Sequence, residues 1–114
     1  MTRRLVLALA TDPTDSGTVA ALRLADAALT RGFAVTIFAY GDAVEVAASG
    51  GPTASYVEEM IGGRGSDPGA GQLTWIADAR DPRASRQVRG VIQGDGVDLW
   101  RDVSEGDVVL GVTA

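Results

Sequence analysis

Apolar and polar positions along this chain fall into blocks with two different periods. Residues 5–10 are a continuous apolar run, the pattern of a strand buried on both faces. Residues 11–16 carry no large apolar side chain and include Pro13, which predicts a loop. Val19, Leu22, Ala25 and Leu29 then recur at intervals of three and four, predicting the inward face of a helix. Asp15 or Ser16 is placed to cap its first turn, and Gly32 to end it in a left-handed conformation. Residues 33–40 are rich in β-branched and aromatic side chains and predict a second strand. Two strands joined by a helix of this length form a right-handed parallel βαβ unit.

The alternation continues. Residues 43–49 predict a short helix closed by Gly50-Gly51, and Pro52-Thr53 open another. There Ser55 and Glu58 have capping-box spacing, with Tyr56, Val57, Met60 and Ile61 facing inward. Residues 62–71, GGRGSDPGAG, read as a mobile loop, since glycine populates many backbone states. A third strand covers 73–77. Asp81 and Pro82 start a helix reaching Arg89 and Gly90. A brief strand at 91–93 precedes a turn and a helix over 97–103, with Asp95 as its cap. Residues 104–106 break that helix, and 108–112 form a last strand that reads as buried. The chain of 114 residues is expected to be a single domain, 1–114. Its fold class is α/β, a three-layer sandwich with a five-stranded, mostly parallel sheet.

Composition removes several kinds of chemistry. There is no cysteine, hence no disulfide or thiolate, and no histidine, the usual general base. All ten basic residues are arginine, so Schiff-base catalysis and a phosphate-loop lysine are absent. A net charge of −5 argues against nucleic acid or an anionic membrane as the main partner. Arg3-Arg4 followed by 5–10 resembles the start of a leader, but the run stops at Asp12-Pro13. No stretch is long enough to span a bilayer. The expected location is cytoplasmic.

In open α/β sheets ligands collect at the C-terminal strand ends. Four predicted loops lie there, and they contain Asp12, Asp15, Asp42, Asp78, Asp81 and Asp95. Six carboxylates suggest a hard cation. Aspartate also caps helices and opens turns at such positions, and that reading is favoured. No metal and no cofactor are assigned. Thr14-Asp15-Ser16-Gly17-Thr18 has the hydroxyl-and-glycine character of a phosphate loop at a helix start, but Asp12 and Asp15 would repel a phosphate. A receiver-type phosphoacceptor, with Asp12 and Asp78 after alternate strands, lacks its lysine. The candidate ligand-binding residues are Asp12, Thr14, Ser16, Asp42, Asp78 and Arg80; no catalytic residue is assigned. Arg80, Arg83, Arg86 and Arg89 recur every three residues, which reads as a solvated helix face before an anion site. Trp75 is expected in the core. Trp100 is expected either in the core or at a subunit contact.

With these residues in view, the chain resembles the DsrE/DsrF-like (TusD-like) family of small sulfur-relay proteins. The resemblance lies in LRLADAALTRGFAVTIFAYGDAV, residues 22–44, in Arg89-Gly90-Val91, and in Gly106-Asp107-Val108-Val109-Leu110. It covers most of the chain outside 50–71. It implies a five-stranded α/β fold and assembly into trimers or hexamers, sometimes of unlike subunits. It also implies a persulfide-carrying cysteine in the loop after the third strand. The positions here are 77–80, and none is cysteine. Only a thiol can hold the transferable sulfur, so no catalytic residue carries over. The resemblance therefore implies a non-catalytic, cysteine-less binding or scaffold member. Its partners would be copies of itself or a cysteine-bearing homologue. The alternative is a small-molecule or nucleotide-binding protein that uses the strand-end loops, with 62–71 as a lid. An enzyme using Asp78 as a base ranks last.

Overall fold

The computed structural model describes residues 4–63, 71–103 and 107–113. The strands are β1 (Arg4–Leu9), β2 (Ala34–Ala39), β3 (Leu73–Asp78), β4 (Ile92–Gly94) and β5 (Val108–Val112). The helices are α1 (Ser16–Thr30), α2 (Ala54–Gly63) and α3 (Gly96–Asp102), with 3₁₀ segments at Gly41–Ala47 and Pro82–Ser85. The lid expected at 62–71 falls mainly on 64–70, and the helix break at 104–106; both lie outside the described residues.

All five strands belong to one sheet in the order β4-β3-β2-β1-β5, and every neighbouring pair is parallel. From β1 the chain steps through β2 and β3 to β4, then returns across the sheet to β5. Right-handed crossovers running in opposite directions place their helices on opposite faces. Accordingly α1 and α2 cover the face carrying Leu5, Leu7, Leu9, Ile37 and Trp75. On the other face, Leu99 of α3 packs on Val6 and Phe38. This is the three-layer α/β fold expected from the sequence, with an uneven third layer: among the described residues, on that second face a single short helix serves a five-stranded sheet.

Several local expectations change. Val19 is 42% exposed, and Thr18 takes its place on the inward stripe with Ala21, Leu22, Ala25, Ala28 and Leu29. The Thr18 hydroxyl donates to the Asp12 carbonyl (2.7 Å), which rotates that face towards the sheet. Gly32 has φ 87° and ends α1 as expected. Tyr56 is exposed, while Ala54, Val57 and Met60 pack inward. Ser55 lies inside the first turn of α2 instead of capping it, and the Thr53 hydroxyl donates to the Val46 carbonyl.

The helix expected over 82–89 is one 3₁₀ turn followed by a backbone that pairs elsewhere. Ser49 N–H donates to the Arg86 carbonyl (2.8 Å) and Val88 N–H to the Ala47 carbonyl (2.9 Å). Those bonds replace the helical ladder. The four arginines therefore share no helix face. β5 was expected to be buried, but it is an edge strand: Val108 is 55% and Leu110 41% exposed. The ion pair from Arg4 to Asp107 (2.7 Å) ties its start to β1.

Candidate functional site

Because every strand runs the same way, the loops after β1, β2, β3 and β4 meet along one edge. All six aspartates lie there, and most are engaged locally. Asp12 accepts from the backbone N–H (2.8 Å) and hydroxyl (2.7 Å) of Thr14. Those bonds, the hydroxyl's first, hold its carboxyl below the usual range. Asp15 caps α1 by accepting from Gly17 N–H. Asp81 caps the Pro82–Ser85 turn through Arg83 N–H. Among the described residues no group of three or more acidic side chains is disposed to hold a metal ion.

Asp78 ends β3 and is buried, accepting from the backbone N–H (3.1 Å) and the Nε (3.2 Å) of Arg80. That hydrogen bond, then the charge attraction, raises the Arg80 guanidinium above its ordinary value. The Arg80 side chain is otherwise 79% exposed. Asp42 is also exposed and meets Arg83 at 3.4 Å. Ser16 opens α1 at an exposed position.

The six candidate residues thus do not converge. Asp12 pairs with Thr14, Asp78 with Arg80, and Asp42 with Arg83. β2 lies between the strands that carry Asp12 and Asp78, a separation of roughly 10 Å at two strand spacings. Asp12 and Thr14 line an open hollow of about 540 Å³, opposite Glu45, Ser49, Gly50 and Pro52. The far wall went unnoticed in the sequence because its residues are small or common and share no spacing with the first loop.

Arg83 is the other residue that stood out too little. Its guanidinium reaches Asp81 (2.8 Å), the Gly41 carbonyl (3.0 Å), Glu45 (3.3 Å) and Asp42 (3.4 Å). The bond to Asp81, ahead of those to Glu45 and Asp42, raises its pKa further. Arg83 therefore clamps the two 3₁₀ segments along the ligand edge. The chemistry of this edge is hydrogen bonding and charge pairing, and residues 77–80 present the Asp78–Arg80 pair.

These features define a parallel five-stranded α/β domain with a polar strand-end edge. No protein-family model matches the chain, and no curated protein matches it in sequence. Solved structures share its fold, two of them as follows. One is a protein of unknown function, MTH1491 from Methanobacterium thermoautotrophicum, with a TM-score of 0.75 and 18% identity over 97% of this chain and 99% of that one. The other is the ychN protein from E. coli, with a TM-score of 0.69 and 18% identity over 96% of this chain and 100% of that one.

Proposed function

We propose that the chain is a non-catalytic, DsrE-like scaffold or binding subunit. It assembles with copies of itself, as a trimer or hexamer, or with a cysteine-bearing relative in a sulfur relay. The observation that carries this reading is the surface of α3. Trp100 is 55% and Val97 65% exposed, and Ile92 of the edge strand β4 is 53% exposed. Ile92 pairs in register with Ile76, which packs against the same cluster as Leu99 of α3. The side chains lie on the thinly covered face of the sheet. An exposed tryptophan among aliphatic neighbours is the usual composition of an interface centre. The Asp78–Arg80 pair at 77–80 supports the non-catalytic part, because neither side chain can carry transferable sulfur. A cytoplasmic location belongs to the same proposal; residues 5–9 are core strand there.

Sedimentation equilibrium over a wide concentration range tests it. A mass of three or six chains, reduced by Trp100→Ser with unchanged circular dichroism, is the expected result for the homo-oligomer. A monomer that also captures no cysteine-bearing relative from native extract would sink the proposal.

The hollow beside Asp12 and Thr14 favours a second reading, a small polar ligand held at the strand ends. A thermal-shift screen of nucleotides, flavins and divalent ions checks it, and Glu45→Gln should diminish any stabilisation found.

A further inference from the structure

An apolar concavity of this molecule lies away from the strand-end loops. It is a groove of about 380 Å³ at the opposite edge, between the C-terminal half of α1 and the start of β1 and β5. Its floor and walls include Leu5, Leu24, Ala28, Phe33 and Leu110. The groove exists because α1 packs mainly over β1 and β2 and meets the edge strand more lightly, leaving Val108 and Leu110 partly exposed on its own side of the sheet. Leu24, 43% exposed, forms the facing wall. Volume and lining match a small-molecule site: concave, mostly apolar, with few polar groups.

The polar groups it does have are cationic. Arg4 and Arg31 line the groove, in a chain of net charge −5. Arg4 is committed to Asp107. Arg31 is exposed and makes no ion pair among the described residues. Three carbonyls of the last turn of α1 are already bonded. Those of Ala27 and Ala28 accept from Arg31 N–H, Ala28 also from Phe33 N–H, and Leu29 from the N–H groups of Gly32 and Gly71. An incoming anion therefore meets a guanidinium beside three carbonyls that are already engaged.

We propose that this groove binds an amphipathic anion, a linear acyl carboxylate of medium chain length. Its apolar chain lies over Leu24, Phe33 and Leu110 and its carboxylate at Arg31. Charge selects the head, since a guanidinium bonds a carboxylate well and repels a cation. Shape selects the tail. A stable protein interface needs about 800 Å² per partner, whereas the exposed apolar side chains here are Leu24, Val108 and Leu110 around a narrow hollow. The site lies on the opposite sheet face from Trp100, so it does not depend on the proposed assembly.

Isothermal titration with octanoate, decanoate and dodecanoate below their micelle-forming concentrations, and with decyltrimethylammonium, provides the test. Affinity should rise several-fold, up to about fifteenfold, with each two carbons added. The cation of equal chain length should bind at least tenfold more weakly than decanoate. Arg31→Gln, an exposed position, should weaken decanoate by roughly tenfold or more, and Leu24→Asp should abolish chain-length dependence. Equal binding of cation and anion, affinity independent of chain length, or silence with dodecanoate on folded protein each overturns the assignment. If dodecanoate is silent and Leu24→Asp instead dissociates an oligomer, a second copy occupies the groove and the proposal fails.

Discussion

Thr18 and Thr11 place their side-chain oxygens 2.5 Å apart, both residues buried at the junction of α1 with the loop after β1. Thr18 donates to the Asp12 carbonyl, leaving its oxygen to accept from Thr11. The pair fixes both the rotation of α1 and the path of the polar loop. Thr18→Val keeps the shape but strands the Thr11 hydroxyl and removes a donor from the Thr11 and Asp12 carbonyls, of which that of Asp12 keeps the Asp15 N–H. It should cost about 1–3 kcal/mol in urea unfolding, the usual penalty for a buried group left unbonded. Val19→Thr, at the exposed neighbour, should stay within about 0.5 kcal/mol.

Arg83→Gln should loosen the 3₁₀ segment Gly41–Ala47 without unfolding the sheet. The Arg83 side chain is 40% exposed, so solvent screening limits the loss to about 1 kcal/mol or less. Faster amide exchange confined to 41–47 and 82–85 is the expected signature. Arg86→Gln, in the same arginine series, serves as the silent control.

Acid should destabilise the protein through Asp12 and Asp81. Hydrogen bonds lower the carboxyl of Asp12, from Thr14, and of Asp81, from Arg83. A carboxylate lowered in the folded state stabilises it above the unfolded pKa, and that contribution disappears as pH falls through the folded value. Since the chain has no histidine or cysteine, the unfolding free energy should be nearly flat from about pH 5.5 to 7.5 and fall below about pH 4. In Asp12→Asn/Asp81→Asn the acid slope should be shallower; an unchanged slope would assign the effect to other carboxylates.

The two tryptophans should report separately. Trp75 is fully buried and Trp100 55% exposed. Acrylamide should quench only the red-shifted Trp100 component at concentrations where the protein is monomeric. Protection of Trp100 on raising the protein concentration would mark α3 as a contact surface. Trp75→Ala should cost about 3–5 kcal/mol.

Gly71→Ala should be among the most damaging single-methyl additions. A Cβ there would sit 1.7 Å from the Phe33 carbonyl oxygen. The backbone is held close by the Gly71 N–H bond to Leu29 (2.9 Å) and the Val35 N–H bond to Gln72 (3.0 Å). Relief requires shifting the α1–β2 turn, and a loss of about 1–3 kcal/mol is expected by calorimetry, as for other overpacked sites.

The strands and α1 were legible because burial on both faces leaves an uninterrupted apolar run, and burial of one helix face leaves a period. Gly32 was legible because a left-handed backbone selects glycine. The helix expected over 82–89 was misread because local capping signals say where a turn starts. They do not say that Ala47 and Ser49 will take the next backbone bonds. Thr18 escaped notice because a hydroxyl looks polar until its partners at Thr11 and Asp12 come within reach. The candidate site was legible only as positions along an edge. The spacing of loops does not reveal that β2 separates Asp12 from Asp78.

The sequence alone determined the alternation of strand and helix, the polar strand-end edge, and the chemistry that cysteine, histidine and lysine would have supplied and do not. Each follows from residue identity and short-range period. Only the tertiary structure decided which strand lies at the edge, which face α3 covers, and which charges meet. Those depend on the order β4-β3-β2-β1-β5, a non-local arrangement. That order turns Val108 and Leu110 from core residues into the wall of a groove. It brings Arg83 onto Glu45, and it leaves Trp100 on a surface that residue type alone could place either inside or out.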